Sequence, residues 1–424
     1  MRILMLSWEF PPQVVGGLAR HVHGLSLALA EAREDVSVIT LAPEGDLSPS
    51  REDLAGAEIH RIKPYPLAAS SFPLWALHMN IAMLEKAVVL ANRNPFDLVH
   101  AHDWLVAYAG RALKHIYRIP LIATIHATEY GRNGGLYSDE QRYISDVEWW
   151  LAYEAWRVIC CSDYMRKALQ RLFQVPEDKL KVIYNGVTPE LFQAREEEDP
   201  VAGPASQERI IFYIGRLVPE KGVQILLQAA PRILDACPAA RFVIAGDGPY
   251  RGELEELASR MGIKDKVHFP GFIADKERNR LYRQAAVSVI PSLYEPFGIV
   301  ALEAMAAGAP LVVADCGGLG EIVTHDVNGL KCYPGHAVSL ADQVIRLLTD
   351  AGLSASLREA GKKLVMAKYT WPQIAAETAA VYREVLEEYD SGSWKTAKGE
   401  PELAYFHGLS KQLSRYDSSS TRFN

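Results

Sequence analysis

Glu295 and Glu303, separated by seven residues, are the acidic pair in this chain whose setting points to chemistry. Residues 286–291 form a short apolar run that reads as a buried strand. Residues 292–298 supply a turn, with Pro296 and Gly298 as breakers. Residues 299–307 are nearly all helix formers, and Gly308-Ala309-Pro310 stops them. Glu295 then lies in a loop and Glu303 about one turn into a helix, so both can face one crevice. The helix start between them (Phe297, Gly298, Ile299, Val300) offers free N–H groups to a phosphate. One acid for sugar hydroxyls, N–H groups for phosphate and a second acid for ribose would suit a nucleoside diphosphate sugar. The competing reading is an amphipathic core helix with solvated glutamates.

A second cluster, Gly215-Arg216-Leu217-Val218-Pro219-Glu220-Lys221-Gly222, joins an apolar run to a helix start. A guanidinium and an ammonium on one strand-to-helix loop make a diphosphate site. Each charge-assisted contact contributes roughly 1.5–3 kcal/mol where water is excluded. An arbitrary Arg and Lys would more often be surface cations; their coincidence with the Glu295–Glu303 stretch favours the site. In the first half, the apolar run 120–125 ends on His126, and strand ends of this kind line ligand crevices. His100 and His102 fall on one side of another run, as a metal pair could. No third ligand stands at metal spacing, so hydrogen-bonded residues at a strand end are the expectation there.

These residues need elements to hold them. Residues 2–7 read as a strand of a parallel sheet, followed by a loop ending in Gly16-Gly17 and a helix over 18–32. The loop lacks the G-x-G-x-x-G spacing of dinucleotide binders, so the paired glycines serve close backbone approach rather than NAD. Further strands are expected at 36–41, 58–62, 96–102, 157–161 and 181–184, with Ser162 capping a helix over 163–173. Residues 127–135 read as a glycine-hinged loop. Residues 194–208 have linker composition, and beyond them the pattern restarts. Strands at 209–214, 241–245, 267–269 and 311–315 lead into turns, among them Gly246-Asp247-Gly248-Pro249 and Pro270-Gly271-Phe272. Two successive βα series imply an α/β chain of two Rossmann-like lobes facing a cleft, residues 1–190 and 206–370. A last helix spans 371–389, and 390–424 is a polar tail.

The 424 residues are 49% hydrophobic and 23% charged, as in an ordinary soluble protein of two domains. A formal net charge of −7 argues against a general nucleic-acid binder. The five cysteines show no C-x-x-C spacing and read as reduced thiols, so a cytoplasmic setting is expected. No secretory signal is visible at residues 1–7. The most apolar window, 72–90, is broken by His78, Glu85 and Lys86, so stable membrane insertion is not expected.

Gly16-Gly17, His126, Gly-Arg216-x4-Lys221-Gly, Gly-Asp-Gly-Pro249, Pro-Gly-Phe272 and Glu295-x7-Glu303, in that order, resemble family 4 of the retaining glycosyltransferases over residues 1–388. The resemblance implies the GT-B fold, with acceptor in the first lobe, nucleotide sugar in the second and a last helix crossing back to the first. It implies that Arg216 and Lys221 neutralise the diphosphate, helped by N–H groups of Gly17 and of 298–300. Glu295 would hold the donor sugar, Glu303 the ribose, and Phe272 would border the base. His126 would contact the transferred sugar, and Gly16, Gly215, Gly246 and Asp247 would shape the nucleotide-sugar site. Asp103, Glu129, Tyr130 and Arg132 fall on the acceptor side.

No Asp-x-Asp pair is present, in keeping with a family that needs no metal or other cofactor. The expected partners are a nucleotide sugar and a carbohydrate or sugar-phosphate acceptor. Bacterial starch and glycogen synthases of the neighbouring family carry a lysine where this chain has Val14, although residues 7–12 and His102-Asp103-Trp104 are similar to α-glucan synthases. The expectation is a hexosyl, in the first place glucosyl, transferase. The alternatives are a nucleotide-sugar epimerase or hydrolase on the same fold, a lipid-acceptor mannosyltransferase using basic faces at Arg111, Lys114, Arg118, Arg166, Lys167 and Arg171, and a binding protein with a dead site. The last would lack a cation or an acid, and none is missing.

Overall fold

A computed structural model of the chain describes residues 1–43, 50–193 and 208–394. The linker 194–207 and residues 395–424 of the tail lie outside the described residues. Aliphatic and β-branched runs form the strands β1 (Arg2–Leu6), β2 (Asp35–Leu41), β3 (Arg51–Leu54), β4 (Ala57–Ile62), β5 (Leu98–His102), β6 (Leu121–Ile125), β7 (Arg157–Cys160) and β8 (Leu180–Val182). They build one sheet in the order β3-β4-β2-β1-β5-β6-β7-β8. Only β3, a strand the sequence pattern did not reveal, runs antiparallel, paired with β4 through a turn at Ala55-Gly56. Its short, charged sequence alternates in exposure, as expected at a sheet edge.

The second sheet holds β9 (Arg209–Ile214), β10 (Ala240–Ala245), β11 (Val267–Gly271), β12 (Val287–Ile290), β13 (Leu311–Ala314) and β14 (Leu330–Cys332). Its order is β11-β10-β9-β12-β13-β14, with parallel pairing throughout. Strand order reverses between β1 and β5 in the first sheet and between β9 and β12 in the second. A crevice opens at the carboxyl ends of such strands. The loops that follow these four strands carry Gly16-Gly17, Asp103, Arg216 with Lys221, and Glu295. Topology alone therefore gathers the chemistry-bearing residues.

Among the described residues the last helix crosses back to the first lobe. The helix Trp371–Ser391 packs on the helix Gly17–Glu31 of the first lobe. Its Trp371, Ile374, Tyr382 and Val385 share a core with Val22, Leu25 and Leu29. Tyr382 Oη lies 2.6 Å from His100 Nδ1, and Trp156 Nε1 donates to Glu388 at 3.0 Å. The helix Phe72–Arg93 is long and apolar enough to cross a membrane by length and composition. Its Ala76, Met79, Met83, Ala87 and Leu90 are nonetheless buried in the largest core cluster.

Two local expectations change. Residues 127–135 hold a helical turn, Glu129–Asn133, because Thr128 Oγ1 caps it by accepting the Gly131 N–H at 3.1 Å. Pro270 and Gly271 lie inside β11 rather than in the turn after it. β11 is an edge strand, where proline need not break a ladder.

Gly24 presents a bare patch to the Trp371 indole, and a Cβ there would overlap the ring. Gly24→Ala should destabilise the first lobe by about 1–3 kcal/mol through overpacking. Gly252→Ala, at a helical position with open space around it, should be neutral or slightly stabilising. Urea unfolding of both variants checks this; equal stabilities would contradict the packing of the returning helix.

Candidate active site

The second-lobe side of the cleft is built on glycine geometry. Gly246, at φ +122°, brings its backbone against the Gly215 carbonyl, where any Cβ would collide. Tyr213 Oη donates to the Arg216 carbonyl at 3.1 Å, fixing the loop after β9. Arg216 pairs loosely with Glu220 at 3.5 Å and keeps an exposed guanidinium. Lys221 ends a 3-10 turn, and its Nζ donates to Glu295 Oε2 at 2.7 Å. The same oxygen accepts from Ser292 Oγ at 3.2 Å, and Glu220 O accepts the Leu293 N–H at 2.8 Å. Two loops distant in sequence are thus locked into one surface.

Gly298, at φ +108°, begins the helix Ile299–Ala307, whose first N–H groups have no intrahelical acceptor. Ile299 Cδ1 would lie 3.3 Å from a Cβ at Gly17, so Gly17 lets the lobes approach closely. Glu303 is buried, accepting from Tyr282 Oη at 3.1 Å and facing Arg20 at 3.4 Å and Arg278 at 3.6 Å. Phe272 is 75% exposed, a bare ring just past β11. Asp247 is exposed on the turn after β10 and accepts the Gly248 N–H at 2.8 Å. The Phe297 side chain is core, 3% exposed, with ring centroids 5.9 Å from Tyr184 and 6.3 Å from Tyr369. Only its backbone can meet a ligand, because tertiary packing claims the ring.

Across the cleft, buried Glu9 accepts the N–H groups of Val15 at 2.6 Å and Gly16 at 3.1 Å, shaping the paired-glycine loop. Burial raises its pKa against those bonds. Sequence reasoning passed over Glu9, although an acid between an apolar strand and Pro11-Pro12 was a usable signal. Asp103 Oδ1 accepts the His126 N–H at 2.7 Å, and burial pushes this carboxyl up to about 6.

His126 sits among three histidines. Its Nε2 lies 3.3 Å from His102 Nδ1, and its ring centroid 4.7 Å from that of His21. Burial, then Arg132, brings the His126 pKa down to about 3, and burial also lowers His21 and His102, so the cluster is neutral. One nitrogen of each lies within 4.8 Å of the others, and Nε2 of His21 and of His102 are buried without a partner. Such a set can hydrogen-bond sugar hydroxyls or take a borderline cation. The sequence pairing of His100 with His102 does not describe it. His100 is engaged by Tyr382 and, at 2.7 Å, by Thr124, and the third member, His21, comes from a distant helix.

Arg132 faces Asp103 at 3.9 Å, Glu129 at 3.6 Å and Glu148 at 3.9 Å, while Tyr130 stands part-exposed beside it. Glu148, which no local motif marks, accepts the Glu129 N–H at 2.9 Å, and burial raises its pKa to about 8. The basic faces weighed for a lipid surface are largely neutralised. Arg111 and Lys114 both pair with Glu154 at 2.9 Å, and Arg166 and Lys167 pair with Asp163 at 2.6 and 2.7 Å.

The lobes are tied across the cleft. Ser162 Oγ donates to the Pro296 carbonyl at 2.6 Å, and Glu321 accepts the N–H groups of Asp163 at 2.9 Å and Tyr164 at 2.7 Å. Arg20 reaches Asp275 at 3.1 Å as well as Glu303.

Two parallel Rossmann-like sheets on one cleft, with the last helix returning to the first lobe, define the GT-B class. A family model described as Glycosyltransferase Family 4 matches residues 15–191, and one described as Glycosyl transferases group 1 matches residues 194–364. An uncharacterized glycosyltransferase of Methanocaldococcus jannaschii is 42% identical over 91% of this chain and 99% of its own length. A glycogen synthase of Mycobacterium tuberculosis is 38% identical over 90% and 94%. Among solved structures, sucrose-phosphate synthase of Thermosynechococcus elongatus superposes with a TM-score of 0.80 at 25% identity, covering 91% of this chain and 99% of that one. The chain belongs to the group 1 and family 4 glycosyltransferases.

Glu148 binds its proton more tightly folded than unfolded, so it stabilises the fold fully below its unfolded value near 4.5 and loses this as pH rises toward about 8. Glu148→Gln should flatten the fall of Tm between pH 5 and pH 8 relative to wild type. Parallel Tm curves would place the proton elsewhere in the Arg132 cluster.

Proposed function

We propose that the chain transfers a hexosyl group, glucosyl in the first place, from a nucleoside diphosphate sugar to a neutral carbohydrate acceptor with retention of configuration. The observation that carries this is the Lys221–Glu295 contact at 2.7 Å beside Arg216 and the helix start at Gly298. Lys221, Arg216 and the N–H groups of Gly17, Gly298, Ile299 and Val300 receive the diphosphate. Glu295, anchored through Oε2, offers Oε1 to sugar hydroxyls. As the sugar–phosphate bond breaks, positive charge grows on the sugar and negative charge on the leaving diphosphate. Groups fixed beforehand stabilise both without reorganising. Neutral His126 hydrogen-bonds the transferred sugar, and Glu303 accepts ribose hydroxyls on lone pairs left free beside Arg20. With the diphosphate charge met by Arg216 and Lys221, no metal is required.

The acceptor side supports a sugar or a glucan end over a sugar phosphate, because Asp103, Glu129 and Glu148 surround a single guanidinium. A phosphate there would meet more carboxylates than cations. The similarity to a glycogen synthase supports the same choice.

The test is turnover with UDP-, ADP- and GDP-sugars against glucans, free sugars and sugar phosphates, with product anomers read by NMR. Acceptor-dependent release of nucleoside diphosphate, an α-linked product from an α-linked donor and indifference to chelator are expected. Conversion without acceptor would instead establish an epimerase or hydrolase. Lys221→Ala and Arg216→Ala should each lower kcat about a hundredfold or more with Tm nearly unchanged. Unchanged rates at saturating donor would remove the diphosphate assignment. Glu303→Ala should mainly raise the donor KM, and a loss confined to kcat would contradict ribose binding.

A further inference from the structure

The second sheet has another positive site at the end opposite the cleft. Arg209 opens β9, and Ala286 immediately precedes β12. Between these strand starts and the helix Ala351–Lys368 lies a cavity of about 250 Å³, lined by Arg209, Arg358, Ser354, Leu347 and small residues. Among the described residues no carboxylate lines it.

The usual neutralising partners are engaged elsewhere. Asp350 Oδ1 caps the helix by accepting the Leu353 N–H at 2.8 Å, and Glu208 pairs with Arg241 at 3.1 Å. Arg209 gives one N–H to the Leu348 carbonyl at 2.8 Å, a neutral acceptor. Arg358 Nε is buried with no hydrogen-bond partner. Burial and the neighbouring Arg209 both oppose the Arg358 charge. Two guanidiniums sharing a cavity without a counter-charge repel one another, and a bridging anion removes that repulsion.

We infer that this cavity is a binding site for a small phosphate monoester or free phosphate, held by Arg209 and Arg358 with the Ser354 hydroxyl. The planar forks of arginine suit phosphate oxygens. The apolar wall of Ala286 and Leu347 leaves room for a compact organic group beside the phosphate. The site is distinct from the donor loops, which follow the opposite ends of β9 and β12.

The experiment is calorimetric titration of the full chain with inorganic phosphate and with a hexose 6-phosphate, alongside three variants. Phosphate could also enter the donor site, so Lys221→Ala is the control. Binding should persist in Lys221→Ala and weaken at least about tenfold in Arg358→Met and in Arg209→Gln. Transferase turnover of Arg209→Gln, measured without phosphate, should stay at the wild-type level. Should Arg358→Met fold poorly, the exposed Arg209→Gln carries the test. Tighter binding of the hexose phosphate than of phosphate would assign the apolar wall to the sugar, and equal binding would assign the site to the phosphate group alone. Binding lost in Lys221→Ala but kept in both arginine variants would overturn the inference. So would an absence of binding at about 20 mM of either probe, weaker than any affinity a built site gives. These results leave the transferase reading untouched, since its test uses the other end of the sheet.

Discussion

A hydrogen bond between the lobes fixes the loop that carries Glu295, whose carboxylate is held within the second lobe by Lys221 and Ser292. Ser162 Oγ donates to the carbonyl of Pro296 at 2.6 Å while accepting the Met165 N–H at 3.1 Å. The residue that caps a first-lobe helix therefore holds the second-lobe loop next to Glu295. Cys161 Sγ reaches the same carbonyl at 3.7 Å, and Phe297 follows it into the core beside Tyr184 and Tyr369. Ser162 is fully buried, so its hydroxyl finds no water in place of that carbonyl. Reaction geometry is sensitive at the ångström level, and here the interface adds to the contacts each lobe makes on its own.

Around that interface the two walls of the cleft carry opposite electrostatics. The second-lobe wall concentrates Arg216, Lys221 and a helix start, with Glu295 already paired. The first-lobe wall surrounds Arg132 with Asp103, Glu129 and Glu148, and burial keeps the last of these partly protonated at neutral pH. Placing like charges together in low dielectric is tolerated only because protons are retained. A charged leaving group on one side and a neutral hydroxyl on the other is the reaction that such a division fits.

The alternation of strands and helices and the switch-point loops were legible from local periodicity and short breakers, whereas the crossing of the last helix came from the family resemblance. Lys221 and Glu295 could be named from spacing, but their direct contact could not. The residues missed share one property. Glu9, Arg20, Glu148 and Glu321 act through partners placed by tertiary structure, and Glu321 reaches a helix start more than 150 positions away. For Phe297 the motif pointed to its backbone, and packing against Tyr369 keeps the ring in the core. Edge strand β3 escaped for lack of any apolar pattern.

The histidine cluster shows why charge and polarity must be separated in this cleft. His21, His102 and His126 lie close enough that protonating one would oppose protonation of the others, and burial already disfavours the charged form. The floor of the cleft therefore offers dipoles and lone pairs. His21 donates through Nδ1 to Asn185 at 2.7 Å, which leaves its Nε2 as an acceptor. An acceptor buried without a partner is satisfied by a hydroxyl at little cost, whereas an anion there would meet only lone-pair density. Selection against charge at the floor and for charge at Arg216 and Lys221 is thus built from neutral and cationic groups a few residues past neighbouring strand ends.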